Sequence, residues 1–245
     1  GTIPLTAATV AGATYAWTGP AGFTSDQPNP TIPNATAANA GTYNVTATVG
    51  GSTSSPGPTN VVVNAVPATP AASSNSPVCG GGSIALSTPA VAGATYSWTG
   101  PNSFASSVQN PTIPAATTAL AGTYNATVTV SGCTSAAGTT NVVVNPVPAT
   151  PTASNGGPYC EGATIALSTP AVAGATYAWT GPNSFTSGVQ NPTIPSATTA
   201  MAGTYSVMVT VSGCTSAAGT TNVVVNPAPA TPTAAAVVAP PVPVA

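Results

Sequence analysis

The sequence predicts an all-β protein, three tandem β-sandwich domains strung in an extended row, the first lacking its opening strand. Three observations predict it. The chain repeats itself at one fixed interval: Trp17, Trp98 and Trp179 are evenly spaced, and Tyr43, Tyr124 and Tyr205 keep the same spacing. Within each repeat, apolar residues alternate with Thr, Ser and Asn over short runs, the period-2 pattern of half-buried strands. Gly and Pro bound those runs, and they number 25 and 28 of the 245 residues, too many and too evenly spread for long helices.

The first repeat shows the elements in order. Thr2-Ile3-Pro4-Leu5-Thr6 alternates and reads as the second strand of a sandwich. Ala13 to Trp17 is the third, with Tyr15 and Trp17 on one face, and Gly19-Pro20 ends it. Asn29 to Pro33 is a short strand anchored by Ile32. Thr42 to Val49 places Tyr43, Val45, Ala47 and Val49 inward against outward Thr and Asn. Gly50-Gly51 turns the chain, and Asn60 to Asn64 closes the sheet. Trp17, Trp98 and Trp179 belong in the cores; Phe23, Phe104 and Phe185 follow a Gly-Pro turn and stay unassigned.

The phase of the repeat sets the domains. The strand Ser83 to Thr88 is preceded by a leader, Pro67 to Cys79, and Thr164 to Thr169 by Pro148 to Cys160. Residues 1–64 show no such leader, and a leader-like segment stands at the other end, from Pro229 to Pro241. The expected division is therefore 1–64 for the incomplete first repeat, 65–145 and 146–226 for the two full ones, and 227–245 for a C-terminal donor-strand tail. The linkers Ala65 to Pro70 and Pro146 to Pro151 are Pro-rich and read as stiff spacers.

Composition removes several function classes. The chain has no Lys, Arg or His, and Asp26 and Glu161 are its whole complement of acidic side chains. Nothing neutralises phosphates, so nucleic acid is not a partner, and there is no electrostatic attraction to anionic lipid. No apolar run approaches the roughly 20 residues of a membrane span. Two carboxylates at non-equivalent positions of different repeats, without a His base, do not form general acid–base machinery, so the chain is not read as an enzyme. No cofactor, metal or small-molecule substrate is expected.

Four cysteines at repeat-matched positions read as two disulfides, Cys79–Cys133 and Cys160–Cys214. Zinc is a poor alternative, because each repeat offers two thiols and no His. Such bridges place the chain outside the cytosol. Ser52 and Pro241 stand where a third pair would be, and their joint loss fits a non-covalent junction between chains. Asn34, Asn44 and Asn125 open glycosylation sequons, and covalent sugars there would help solvate a nearly uncharged surface.

The Trp on the third strand, with Ala-Gly-Thr-Tyr before the sixth, resembles the immunoglobulin-like sandwich and its tyrosine corner. The run Tyr-Ala-Trp-Thr-Gly-Pro-Asn-Ser-Phe, followed by Gln-Asn-Pro-Thr-Ile, Ala-Gly-Thr-Tyr and Gly-Cys-Thr-Ser, is similar to the Ig-like or PKD-like repeats of large surface proteins of Bacteroidetes-type bacteria. The resemblance covers all three repeats and implies a stalk, adhesin or fibre module without naming a ligand. One departure is plain: two residues after the corner Tyr stand Val45, Ala126 and Val207, where antibody domains have Cys.

A sandwich without one edge strand exposes backbone that another chain can pair. Val237, Val238, Val242 and Val244 are the apolar side chains that the tail would bury as donor. The function expected is a structural subunit of an extracellular bacterial filament, polymerising head to tail with copies of itself. The alternative is a piece of a long repetitive cell-surface stalk that does not self-assemble.

Overall fold

The structure is a computed structural model, and it describes residues 1–234. It is all-β: tandem immunoglobulin-like sandwiches whose strands are linked by loops and short 3-10 turns. By their contacts the described residues divide into two compact units. One comprises Gly1–Ser76, Ser83–Pro114 and Ala119–Val142; the other comprises Pro77–Gly82, Ala115–Thr118 and the residues from Val143 on.

The same five-stranded sheet occurs in every repeat. In the first, Thr14–Gly19 lies between Phe23–Ser25 and the long central strand Gly41–Val49. The central strand turns back through Ser52–Thr53 and also pairs with Gly57–Val61. The hairpin strand Phe23–Ser25 is an addition to the sequence reading, because Gly19-Pro20 looks like a strand end. Pro20–Gly22 instead forms a tight 3-10 turn, with Ala21 at φ 56, that reverses the chain. The last strand also differs from expectation. It runs Gly57–Val61 where Asn60 to Asn64 was expected, and every one of its residues pairs with the central strand.

The opposing sheet separates the first repeat from the others. Among the described residues, Ile3–Pro4 pairs with Thr31–Ile32 alone. In the second repeat, Ile84–Ser87 pairs with Thr112–Ile113 on one side and with the leader strand Ser73–Ser74 on the other. In the third, Ile165–Ser168 lies between Thr193–Ile194 and the leader strand Ser154–Asn155. Each leader then reaches the last strand of its repeat and runs parallel to it: Val78–Cys79 beside Val144–Asn145, and Tyr159–Cys160 beside Val225–Asn226.

The cores follow the alternation, except that Val49, expected to point inward, is 44% exposed at the hairpin end of its strand. Trp17, Trp98 and Trp179 are at most 2% exposed, and Tyr43, Tyr124 and Tyr205 are fully buried. Each Tyr hydroxyl donates to the carbonyl four residues back, Asn39, Leu120 or Met201, at 2.8–3.0 Å, which is the tyrosine corner. The three unassigned phenylalanines find their place here: each packs edge-on against the corner Tyr at 5.5 Å between ring centres. Gly19, Gly100 and Gly181 lie under the Tyr rings, and a Cβ at any of them would overlap the ring.

Truncating Trp98 to Ala should cost about 3–5 kcal/mol, read as a lower denaturant midpoint, because the buried indole leaves a cavity. Burial raises the phenol pKa of Tyr124 and of Tyr205. The folded state therefore favours the neutral phenol. Its contribution is complete below the unfolded value of about 10 and is lost as pH rises through the raised folded value. Thermal melts should be flat from pH 6 to 9 and fall above pH 10, and Tyr124→Phe with Tyr205→Phe should lessen that fall.

Candidate functional site: an uncovered strand edge in the first repeat

The site is defined by what the leader does in the other two repeats. Pro70 and Pro151 are buried, and their carbonyls lie directly over Gly138 and Gly219. A Cβ on either glycine would overlap that carbonyl, so the close approach requires Gly inside the strand. The leader then holds to the opposing sheet by backbone and side chains, and to the five-stranded sheet by side chains. Ser73 and Ser154 hydroxyls meet those of Ser87 and Ser168 at 2.7 and 2.8 Å. Ser74 meets the Thr140 hydroxyl at 3.2 Å, and Asn155 Nδ2 donates to that of Thr221 at 2.7 Å.

Gly57 is the equivalent in the first repeat, and its surroundings are open. A Cβ there would meet nothing nearer than Val45 Cγ1, at 3.6 Å. Gly57 and Thr59 are exposed, and Val45 and Ala47 are half-buried. Their counterparts Ala126, Val128, Val207 and Val209 are at most 1% exposed. The result is a groove of about 350 Å³ lined by Tyr15, Trp17, Val45, Ala47, Gly57 and Thr59, among others. It follows the first half of the path that the leader takes in the full repeats. The indole N–H of Trp17 is buried without an acceptor, whereas those of Trp98 and Trp179 donate to Gln109 and Gln190 carbonyls at 3.1 Å. Pro28 stands in place of that Gln.

The matching segment lies at the other end of the sequence. Pro229-Ala-Thr-Pro232-Thr-Ala234 repeats Pro148 to Ala153, and Pro232 is the counterpart of Pro70 and Pro151. It is exposed along its length. Val237, Val238, Val242 and Val244 lie outside the described residues. In the full repeats the residue seated over the glycine is Pro70 or Pro151, and its sequence counterpart here, Pro232, stands upstream of those valines. The Gly in the last strand is the sequence signal for this contact that reading by alternation passes over.

The disulfide arrangement corrects the expectation. Cys79 is bonded to Cys214, 135 residues away, and not to Cys133. Cys133 and Cys160 are free, so neither Cys79–Cys133 nor Cys160–Cys214 forms. The reason lies in where the leader ends. Pairing with Val144–Asn145 carries Cys79 to the end of its own sandwich, beside the hairpin turn of the third repeat that holds Cys214. The bridge therefore joins consecutive repeats. On the chain-entropy model a loop of that size contributes about 5 kcal/mol.

Both carboxylates accept hydrogen bonds from groups beside them. Asp26 is exposed and accepts from Gln27 Nε2 at 3.0 Å. Glu161 accepts from the backbone N–H groups of Thr199 and Ala228, at 3.4 and 3.1 Å, and so ties down the chain leaving the third repeat. Among the described residues no group of three or more His, Cys, Asp or Glu gathers, and no helix is long and apolar enough to cross a membrane. Asn34 is exposed at a left-handed turn, with φ 52. Asn44 and Asn125 are half-buried on the central strands, opposite Thr18 and Thr99.

No family model matches the chain, and no curated protein matches it. Solved structures with a similar arrangement include domains 3–5 of Drosophila OTK, 13% identical over 92% of each chain, with a TM-score of 0.39. The mouse nectin-like molecule 4 ectodomain is 14% identical over 95% of this chain and 96% of that one, at 0.38. The three N-terminal domains of the bacteriophage RB49 outer capsid protein Hoc are 16% identical over 94% and 95%, also at 0.38. Scores of this size carry no weight for function.

Peptide mapping without reduction should recover the Cys79 peptide joined to the Cys214 peptide. Cys133 and Cys160 should be alkylated by a maleimide. Recovery of Cys79 with Cys133 would restore the within-repeat pairing.

Proposed function

We propose that the chain is a structural subunit of an extracellular filament, in which the segment from Pro229 onward of one copy lies as leader strand on the first repeat of the next. The observation that carries this reading is the open groove over Gly57, in a chain that also bears an exposed copy of the segment filling the equivalent groove twice. Donor and groove are different surfaces, so the contact is heterologous and grows open polymers rather than closed dimers. Burying Pro232, Ala234 and the groove residues they meet would contribute on the order of 3–6 kcal/mol before ordering costs. Strand pairing would occupy the edge at Leu5, the counterpart of Leu86, which pairs with Ser74 of the leader in the second repeat.

The disulfide supports an extracellular setting. The resemblance of the repeats to surface proteins of Bacteroidetes-type bacteria supports a bacterial cell as the source. The near absence of charge supports a structural role with no nucleic acid, cofactor or small-molecule substrate. Covalent sugars on Asn34, Asn44 or Asn125 would add solvation, and Asn34 is the most accessible of the three. The proposed sandwich boundaries remain 1–64, 65–145 and 146–226, with 227–245 as donor.

A second reading, a piece of a longer repetitive stalk, is favoured by one observation. Cys133 and Cys160 occupy the same two structural positions as Cys214 and Cys79, so flanking cysteine-bearing repeats would supply partners for both. Intact mass of the native material separates the two. A chain of 23.1 kDa plus sugar fits the subunit, and a much larger one fits the stalk.

The direct test is Gly57→Ala. In the isolated chain the added methyl has room, so melting should stay within a degree or two of the parent. In a filament it would overlap the donated Pro232 carbonyl and block growth, as seen by negative-stain microscopy. Gly138→Ala, by contrast, should destabilise the isolated chain by about 1–3 kcal/mol, since there the leader already occupies the space. Normal filaments from Gly57→Ala would exclude donation into this groove.

A further inference from the structure

Two junctions between consecutive repeats are built alike. At the first, Asn64 Nδ2 donates to the Ser131 carbonyl at 3.0 Å, and the Cys133 thiol lies 3.6 Å from the Asn64 carbonyl. At the second, Asn145 Nδ2 donates to the Ser212 carbonyl at 3.0 Å, and Cys214 Sγ lies 3.9 Å from the Asn145 carbonyl. In both, the acceptor opens a two-residue hairpin turn with positive φ throughout: 49° and 80° at Ser131-Gly132, 50° and 80° at Ser212-Gly213. An Asn that ends one sandwich thus reads the turn of the next.

The two halves of this junction occur once more, each without its counterpart. Asn226 is the repeat equivalent of Asn64 and Asn145; it is exposed, and its side chain has no hydrogen bond among the described residues. Gly50-Gly51 is the equivalent turn. It is exposed and holds the same geometry, with φ of 56° and 83°. Cys160 stands in register beside Asn226, as Cys79 stands beside Asn145. Ser52 stands where Cys214 does.

We propose that a second copy of this chain docks through this same junction: Asn226 Nδ2 of one copy donates to the Gly50 carbonyl of the next, which sets Cys160 of the first against Ser52 of the second. This register rests on the filament reading above and extends it. Strand donation leaves open how the sandwiches abut; the internal junctions specify it. The contact uses an amide, a carbonyl and a turn, with no charged group. Where the internal junction closes with Cys79–Cys214, this one sets a thiol against a hydroxyl and stays non-covalent.

The test is the full chain carrying Ser52→Cys, assembled and then treated with oxidised glutathione. That reagent takes up the two electrons and two protons released as two thiols form one disulfide. A non-reducing denaturing gel should show a ladder of multimers that collapses on reduction. The parent chain should run as monomer. The ladder should vanish when Cys160→Ser is added and survive Cys133→Ser. A ladder that persists with Cys160→Ser and requires Cys133 would overturn the register. So would filaments visible by microscopy that yield only monomer, and in that case strand donation would stand. Failure of the parent chain to form filaments would overturn both. Asn226→Ala should raise the critical concentration about fivefold, the loss of one intermolecular hydrogen bond; an unchanged value would count against the junction.

Discussion

What closes a full sandwich in this fold is the leader lying across its edge. The long central strand supplies a Val or Ala stripe, and the neighbouring strand supplies a glycine over which a proline carbonyl can sit. With that cover, Val128 and Val209 are sealed. Without it, Ala47 and Val45 face a groove. The leader is the opening segment of each full repeat, yet it reaches its sandwich only after leaving the one before. Connectivity and cohesion are therefore the same feature: the segment that links two sandwiches is also the strand that closes the second.

A chain with two acidic side chains and no basic ones must reach its stability by other means than ion pairs. Neutral hydrogen bonds between short side chains take that role. Thr48 meets Thr53, Thr129 meets Thr134 and Thr210 meets Thr215, all at 2.8–2.9 Å across the same hairpin in successive repeats. Such pairs are short, lose little rotamer entropy and do not respond to salt. The two junctions use the same chemistry, with an Asn amide and a turn carbonyl. The demand this chemistry makes is geometric: each contact works only at one register, and the constant repeat length preserves that register across the chain.

Much of this was legible in the sequence, and the parts that were not have physical causes. The Trp and Tyr positions, the alternation and the glycine hairpin turns set the sheet, because period and side-chain size leave few alternatives. The leader's place ahead of each full repeat was legible too. The hairpin strand Phe23–Ser25 was hidden by Gly19-Pro20, since a Gly-Pro pair ends a strand as readily as it opens a tight turn. The cysteine partners were hidden for a different reason. Cys133 and Cys214 occupy the same turn in successive repeats, and spacing alone does not say which of those turns the leader end at Cys79 will face. The register with Val144–Asn145 decides that, and it carries Cys79 to the end of its own sandwich. Gly57, Gly138 and Gly219 were visible but unread, because glycine within a strand signals an approaching backbone only once the leader is known to be there.

The Cys79–Cys214 bridge has a mechanical consequence. If a pull is applied along the polypeptide, tension passes from residue 79 through the sulfur atoms to residue 214, and the loop between them carries none of it. That loop holds Trp98, Trp179, both of their tyrosine corners and most strands of the second and third repeats. At about 3.4 Å per extended residue, roughly 450 Å of contour is withheld from extension. Only the segments outside the loop can lengthen under load. Those segments include the first repeat and the closing strands Gly219–Val223 and Val225–Asn226 of the third.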